Sequence, residues 1–221
     1  MMPKTVRYQL SIFLLFLLLS MLLTSCQRAY YGAMEKMGIH KRDIMVERVK
    51  KARDSQAEAK EQFKSALAQF NHVLNVKEGE LQQKYETLSK EYEESEEKAA
   101  DVGERIRKVE DVSEALFEEW QEEISQYHSD KLKQDSEKKL QKTKEHYKEL
   151  ISVMKQAEKK IHPVLIAFHD QVLYLKHNLN TQAITSLKEE VTSMEGDIDI
   201  LIKDMEASIQ EADSFIQSLQ N

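Results

Sequence analysis

The residues of this chain best placed to do chemistry are Asp170, Tyr174 and His177. They recur at i, i+4 and i+7 and so share one face of a helix. An imidazole beside a carboxylate can hold a proton or support a metal ligand. His169 adjoins Asp170 and shares a second face with His162. At its strongest the pattern predicts a small ligand-binding patch made by His169, Asp170, Tyr174 and His177. The simpler expectation is that a highly charged helix sets such residues side by side by accident, or uses them in a hydrogen-bonded layer of its bundle. No metal site and no cofactor are expected. A di-iron bundle uses Glu-x-x-His on two helices, and neither Glu158 with His162 nor Glu145 with His146 has that spacing. A phosphate-binding loop needs Gly-x-x-x-x-Gly-Lys-Ser/Thr, and the glycines at 32, 38, 79, 103 and 196 do not make it. A Gly-x-Ser-x-Gly elbow and a His-Glu-x-x-His pair are also missing. The expectation is a chain with no catalytic residues, and not an enzyme.

The remaining reactive side chain is Cys26, the sole cysteine, so no intramolecular disulfide can form. Lys4 and Arg7 precede an apolar run from Leu10 to Leu23, broken only by Ser11 and Ser20. That is the layout of a secretory signal peptide, and it is short for a stable membrane span. Directly after it, Leu23-Thr24-Ser25-Cys26 resembles the lipobox of bacterial lipoproteins. The resemblance implies that residues 1–25 are removed, that the Cys26 thiol carries diacylglycerol and that the new amino terminus is acylated. Such chains would hold the protein in a lipid bilayer. Gln27 stands where an Asp would, in enteric bacteria, imply inner-membrane retention. By that resemblance the expected location is the periplasmic face of the outer membrane.

Without residues 1–25 the chain holds 30 Lys and Arg against 39 Asp and Glu, a net charge of −9. Nucleic-acid affinity rests on cations neutralising phosphates, so no nucleic-acid partner is expected. Anionic headgroups would also repel it weakly, which suits a domain standing off a surface.

What must position these groups is helix. Charged residues make up 32% of the chain, apolar residues 41%, and there are only two prolines. Four runs carry apolar side chains at alternating spacings of three and four. They are Met45 to Val73, Leu81 to Trp120, Leu140 to Leu179 and Leu187 to Leu219. The first passes through Val49, Ala52, Gln56, Ala59, Phe63, Ala66 and Phe70. The third passes through Lys144, Tyr147, Ile151, Met154, Glu158, Ile161, Leu165, Phe168, Val172 and Leu175. Such seams, with a period near 3.5, belong to coiled coils and helical bundles. Breaks are expected at Asn75 to Gly79, at Gln126 to Asp130 and at Asn178 to Thr181, with Thr181 a candidate cap. Pro163 predicts a kinked helix, with a break after His162 as the alternative. The expected fold is all-α: an elongated antiparallel helical bundle or coiled coil of about four long helices. The expected domains are a signal peptide at 1–25, a lipidated tether at 26–44 and the helical bundle at 45–221. Within the tether, Tyr30, Tyr31, Met34 and Met37 either meet the lipid interface or dock on the bundle.

From Tyr30 on, the chain resembles a family of proteobacterial lipoproteins named only as a domain of unknown function. The resemblance is carried by Tyr30-Tyr31-Gly32-Ala33-Met34-Glu35-Lys36-Met37-Gly38 and His40-Lys41-Arg42-Asp43-Ile44. Ala115 to Trp120 and Asp170 to Asn180 carry it further. It covers nearly all of the chain beyond the signal and implies no catalytic residue, cofactor or substrate. The expected role is a non-enzymatic helical scaffold or adaptor, bound to the bilayer through Cys26 and to an unknown envelope protein or another copy of itself. The alternative is a ligand-binding bundle with a pocket near Pro163.

Overall fold

The computed structural model describes residues 30–74 and 78–220. Cys26 and the signal segment 1–25 lie outside the described residues, as do Asn75, Val76 and Lys77 of the first expected break. The described residues fall into two compact units, the first ending at Ile44 and the second beginning at Met45.

In the first unit a short helix, α1 (residues 30–36), ends in a tight turn. Gly38 takes φ +80°, the left-handed conformation that only glycine adopts at low cost. The amides of Gly38 and Ile39 donate to the carbonyls of Glu35 and Met34, at 2.9 and 3.0 Å. Those two bonds are the Schellman pattern that satisfies the last carbonyls of a helix. The His40 carbonyl then accepts from the amides of Asp43 and Ile44, opening helix α2 (Lys41–Val73). An ion pair between Lys41 and Glu35 ties the two sides of the turn. Tyr31 and Ile44 are buried, while Tyr30 and Met37 are exposed.

The second unit is built from four long helices: α2, α3 (Leu81–Ile124), α4 (Asp130–His177) and α5 (Thr181–Gln220). A 3₁₀ turn at Glu78–Glu80 leads into α3. At 1.5 Å per residue, the 48 residues of α4 span about 72 Å. The second break falls where expected, and its cause is a cap. The Ser129 hydroxyl accepts from the Leu132 amide, and Asp130 adds a carboxylate to the positive end of α4. At the other end Lys176 and His177 suit the negative terminus, and the chain turns at residues 178–180. Thr181 is the first residue of α5, and its side chain lies outside the described ones. Pro163 sits inside α4, which runs on through it, so the alternative of a break after His162 is set aside.

Polar contacts between the helices fix their directions. Arg53 meets Asp213 at 2.6 Å, Lys60 meets Glu206 at 3.4 Å and Asn71 meets Glu195 at 2.7 Å. Each step forward along α2 is thus matched by a step back along α5. Lys98 to Glu58 and Gln62 to Glu91 set α3 against α2 in the same antiparallel sense. Trp120 to Ser136 and Lys155 to Glu110 do so for α3 and α4, and Lys160 to Asp204 with His146 to Glu211 for α4 and α5. The chain is an all-α antiparallel bundle.

Every residue of the seams expected in α2 and α5 is buried. In α4 the core stripe differs from the expected one. Leu140, Met154, Ile161, Phe168, Val172 and Leu175 are buried as expected, but Lys144, Tyr147, Ile151, Glu158 and Leu165 are only half-buried. Leu150, Ala157, Val164 and Gln171 are buried in their place. The stripe advances by three residues and then four, where the expected one advanced by four and then three. The shift lets both charges out of the core. Lys144 Nζ lies 5.7 Å above the Phe117 ring. Glu158 lies over Gly103 of α3, where a β-carbon would stand 2.8 Å from its Oε1.

Gln56 is the polar residue most deeply enclosed in the α2 seam. It is fully buried, and neither its amide oxygen nor its nitrogen has a hydrogen-bond partner among the described residues. A buried amide without partners costs about 1–3 kcal/mol. Gln56→Leu, which keeps nearly the same volume, is therefore expected to raise the unfolding free energy by about that amount, read as a higher urea midpoint. A lower midpoint would show that the amide is satisfied in solution.

Candidate functional site

Pro163 opens one end of a groove between α4 and α5 with a volume of about 670 Å³. Proline has no N–H to donate to the carbonyl of Lys159, and its ring crowds that turn of the helix. The small side chains of Ala167, Ser186 and Ser193 keep the two helices from filling the space between them. Leu187 and Met194 give it an apolar floor, and both are buried. Asp170, Glu190 and Asp197 line it with carboxylates, and no Lys or Arg lines it.

Of the four expected binding residues, Asp170 and Tyr174 line this groove, and His169 and His177 do not. His169 turns toward α3, where its ring lies 5.2 Å from that of Tyr92. Its Nδ1 remains 3.9 Å from Asp170 Oδ1, with both side chains at least half exposed. His177 is exposed in the last turn of α4. The Tyr92 phenol is pushed up to about 12 by burial and by its hydrogen bond to the Glu96 carboxylate. It therefore stays protonated at neutral pH and offers no phenolate base. The lining from α5, namely Ser186, Leu187, Glu190, Met194 and Asp197, was not visible in the sequence. The only signal for it was the seam itself, since Leu187 and Met194 lie on it.

A second polar cluster joins the same two helices nearer the other end of α4. His146 Nε2 lies 2.9 Å from Glu211 Oε1 and 3.4 Å from Ser214 Oγ, with its ring edge-on to Phe215 at 5.2 Å. A hydrolytic relay needs the carboxylate on one ring nitrogen and the hydroxyl on the other. Here both address Nε2, so the cluster is a cross-helix contact and not a nucleophile with its base. No group of three His, Cys, Asp or Glu side chains that could hold a metal ion occurs among the described residues. No helix among them is long and apolar enough to cross a membrane.

Between these two clusters lies a charged clasp. Asp204 is 2.6 Å from Lys160 and accepts from Gln156 at 3.2 Å. Burial alone would raise the Asp204 carboxyl, but the hydrogen bonds from Lys160 and Gln156 outweigh it and hold it below the ordinary carboxylate value. A depressed folded value contributes stability above the unfolded value, lost as pH falls through the folded one. Asp204→Asn is thus expected to cost about 0.5–1 kcal/mol at neutral pH. That cost should vanish once the solution is more acid than the folded carboxyl, as urea titrations at the two pH values will show.

The fold and groove define a helical bundle with an open acidic furrow between two of its helices. The chain belongs to the family described as "Protein of unknown function (DUF2959)", which matches it over residues 30–219. No curated protein and no solved structure matches it.

Proposed function

We propose that the protein is a lipoprotein of the bacterial envelope, tethered through Cys26 at the periplasmic face of the outer membrane. Its bundle acts there as a non-enzymatic scaffold or adaptor that presents long helical faces to an envelope protein or to another copy of itself. The observation that carries the reading is Leu23-Thr24-Ser25-Cys26 directly behind an apolar run, followed by a chain that is nearly all long antiparallel helices. Radiolabelled palmitate should enter the wild type and not Cys26→Ala. Crosslinking in intact cells followed by purification should recover a partner or a homo-oligomer. A chain that takes no label, stays monomeric and captures nothing ends the reading.

The groove beside Pro163 favours a second reading, a bundle that binds a small ligand. Its volume of about 670 Å³ falls in the range of small-molecule sites. The carboxylates of Asp170, Glu190 and Asp197 would select a cation with an apolar body. Ser193→Trp would fill the furrow without touching the buried seam. A ligand seen by mass spectrometry on the purified wild type should be absent from that variant, and equal loading of both would reject the site.

A further inference from the structure

The net charge of −9 averages over two very unequal parts. Residues 27–53 hold eight Lys and Arg against three acids, whereas residues 54–221 hold 22 against 36. The first part is thus +5 and the second −14. The basic part begins beside Cys26, and the turn at Gly38 sits within it. Met37, at the tip of that turn, is 74% exposed, more than any other large apolar side chain among the described residues. Lys36 beside it and Arg42 after it are exposed, and neither enters an ion pair among the described residues. Tyr30, at the start of α1, is 44% exposed.

We infer that the turn from Tyr30 to Arg42 is a docking surface for an anionic phospholipid bilayer. Met37 and Tyr30 enter the headgroup boundary, and Lys36 and Arg42 meet lipid phosphates. Exposed apolar side chains with cations close by in the chain are what such a boundary selects. The Schellman bonds around Gly38 hold Met37 outward before any membrane is met, so little order is lost on docking. The turn itself, residues 30–42, holds Lys36, Lys41 and Arg42 against the single acid Glu35, a net charge of +2, which an anionic surface attracts. The weak repulsion expected from the net charge describes residues 54–221 and reverses at residues 27–53. This surface adds to the tether proposed at Cys26 and rests on that reading for its place in the cell. Its physical test does not depend on the acyl group at Cys26.

The test uses a chain beginning at Gln27, which lacks the acylated cysteine and keeps every described element. It is mixed with vesicles of phosphatidylethanolamine and phosphatidylglycerol, and separately with vesicles of phosphatidylcholine alone. Cosedimentation is expected with the anionic vesicles and should weaken as salt is raised. Lys36→Gln with Arg42→Gln should weaken it about thirtyfold, and Met37→Ser about fivefold. All three positions are exposed, and circular dichroism will confirm that the fold is kept. Equal binding to both kinds of vesicle, no binding to either, or a double variant that binds like the wild type each overturns the inference. Failure here leaves palmitate labelling of Cys26 untouched, and failure of labelling leaves the vesicle result standing.

Discussion

Phe168→Ala is expected to lower the unfolding free energy by about 3–5 kcal/mol, the range for a buried aromatic cut back to a methyl. Phe168 is fully buried at the point where three helices meet. Its ring lies edge-on to Phe70 of α2 at 4.6 Å and to Tyr92 of α3 at 5.7 Å. Phe70 is itself buried, so truncation leaves a cavity walled by stiff rings that cannot collapse into it. Two edge-to-face contacts are lost as well, each contributing about 0.5–1.5 kcal/mol beyond area. The loss should appear as a lower urea midpoint at unchanged slope. Phe70→Ala should be nearly as costly, and the double variant should cost less than the two together, because the rings share one cavity. Tyr92→Phe keeps the ring and removes only the hydroxyl, so it should cost about 1 kcal/mol or less. If Phe168→Ala unfolded no more easily than Tyr92→Phe, α2, α3 and α4 would not meet at this layer.

The same layer shows why much of the fold was legible in the sequence. In α2 and α5 the expected stripe takes no charged residue into the core. All the seam residues from Met45 to Val73 and from Leu187 to Leu219 are buried, and in α5 Ile216 from a neighbouring column joins them. The breaks were legible for a different reason, since Ser129 and Asp130 are the side chains that a helix start selects. The groove was half legible. Asp170 and Tyr174 share a face of one helix, which spacing reveals. Glu190, Met194 and Asp197 join them only because α5 packs antiparallel on α4, and no local pattern states which helices are neighbours. His169 adjoins Asp170 in sequence without sharing its face. Consecutive helical residues point about 100° apart, and His169 accordingly faces Tyr92 instead of the furrow. The His146, Glu211 and Ser214 cluster was hidden for the same reason, because its members come from two helices.

The expected stripe of α4 erred because the helix carries three apolar columns and spacing alone accepts two different pairs of them. Ile161, Phe168 and Leu175 belong to either pair. Ile151, Leu165 and Val172 complete one, and Leu150, Ala157 and Val164 the other. The deciding fact was present in the sequence. The first choice also takes Lys144 and Glu158 into the core, and the second takes only the uncharged Gln171. Burying an unpaired charge costs far more than burying an amide that can find partners. Of the first column only Val172 is buried; elsewhere the packing follows the cheaper one, leaving Lys144 over the Phe117 ring and Glu158 beside Gly103. Two adjacent residues test this directly. Leu150 is fully buried and Ile151 is half-buried. Leu150→Ala should cost about 2–5 kcal/mol, as core truncations do. Ile151→Ala removes a side chain of similar size from a partly wetted position, and its better helix propensity offsets part of the loss. It should cost about 1 kcal/mol. Urea unfolding of the two variants side by side reads the difference. An Ile151→Ala cost equal to or above that of Leu150→Ala would restore the first stripe, and with it the two buried charges that the structure avoids.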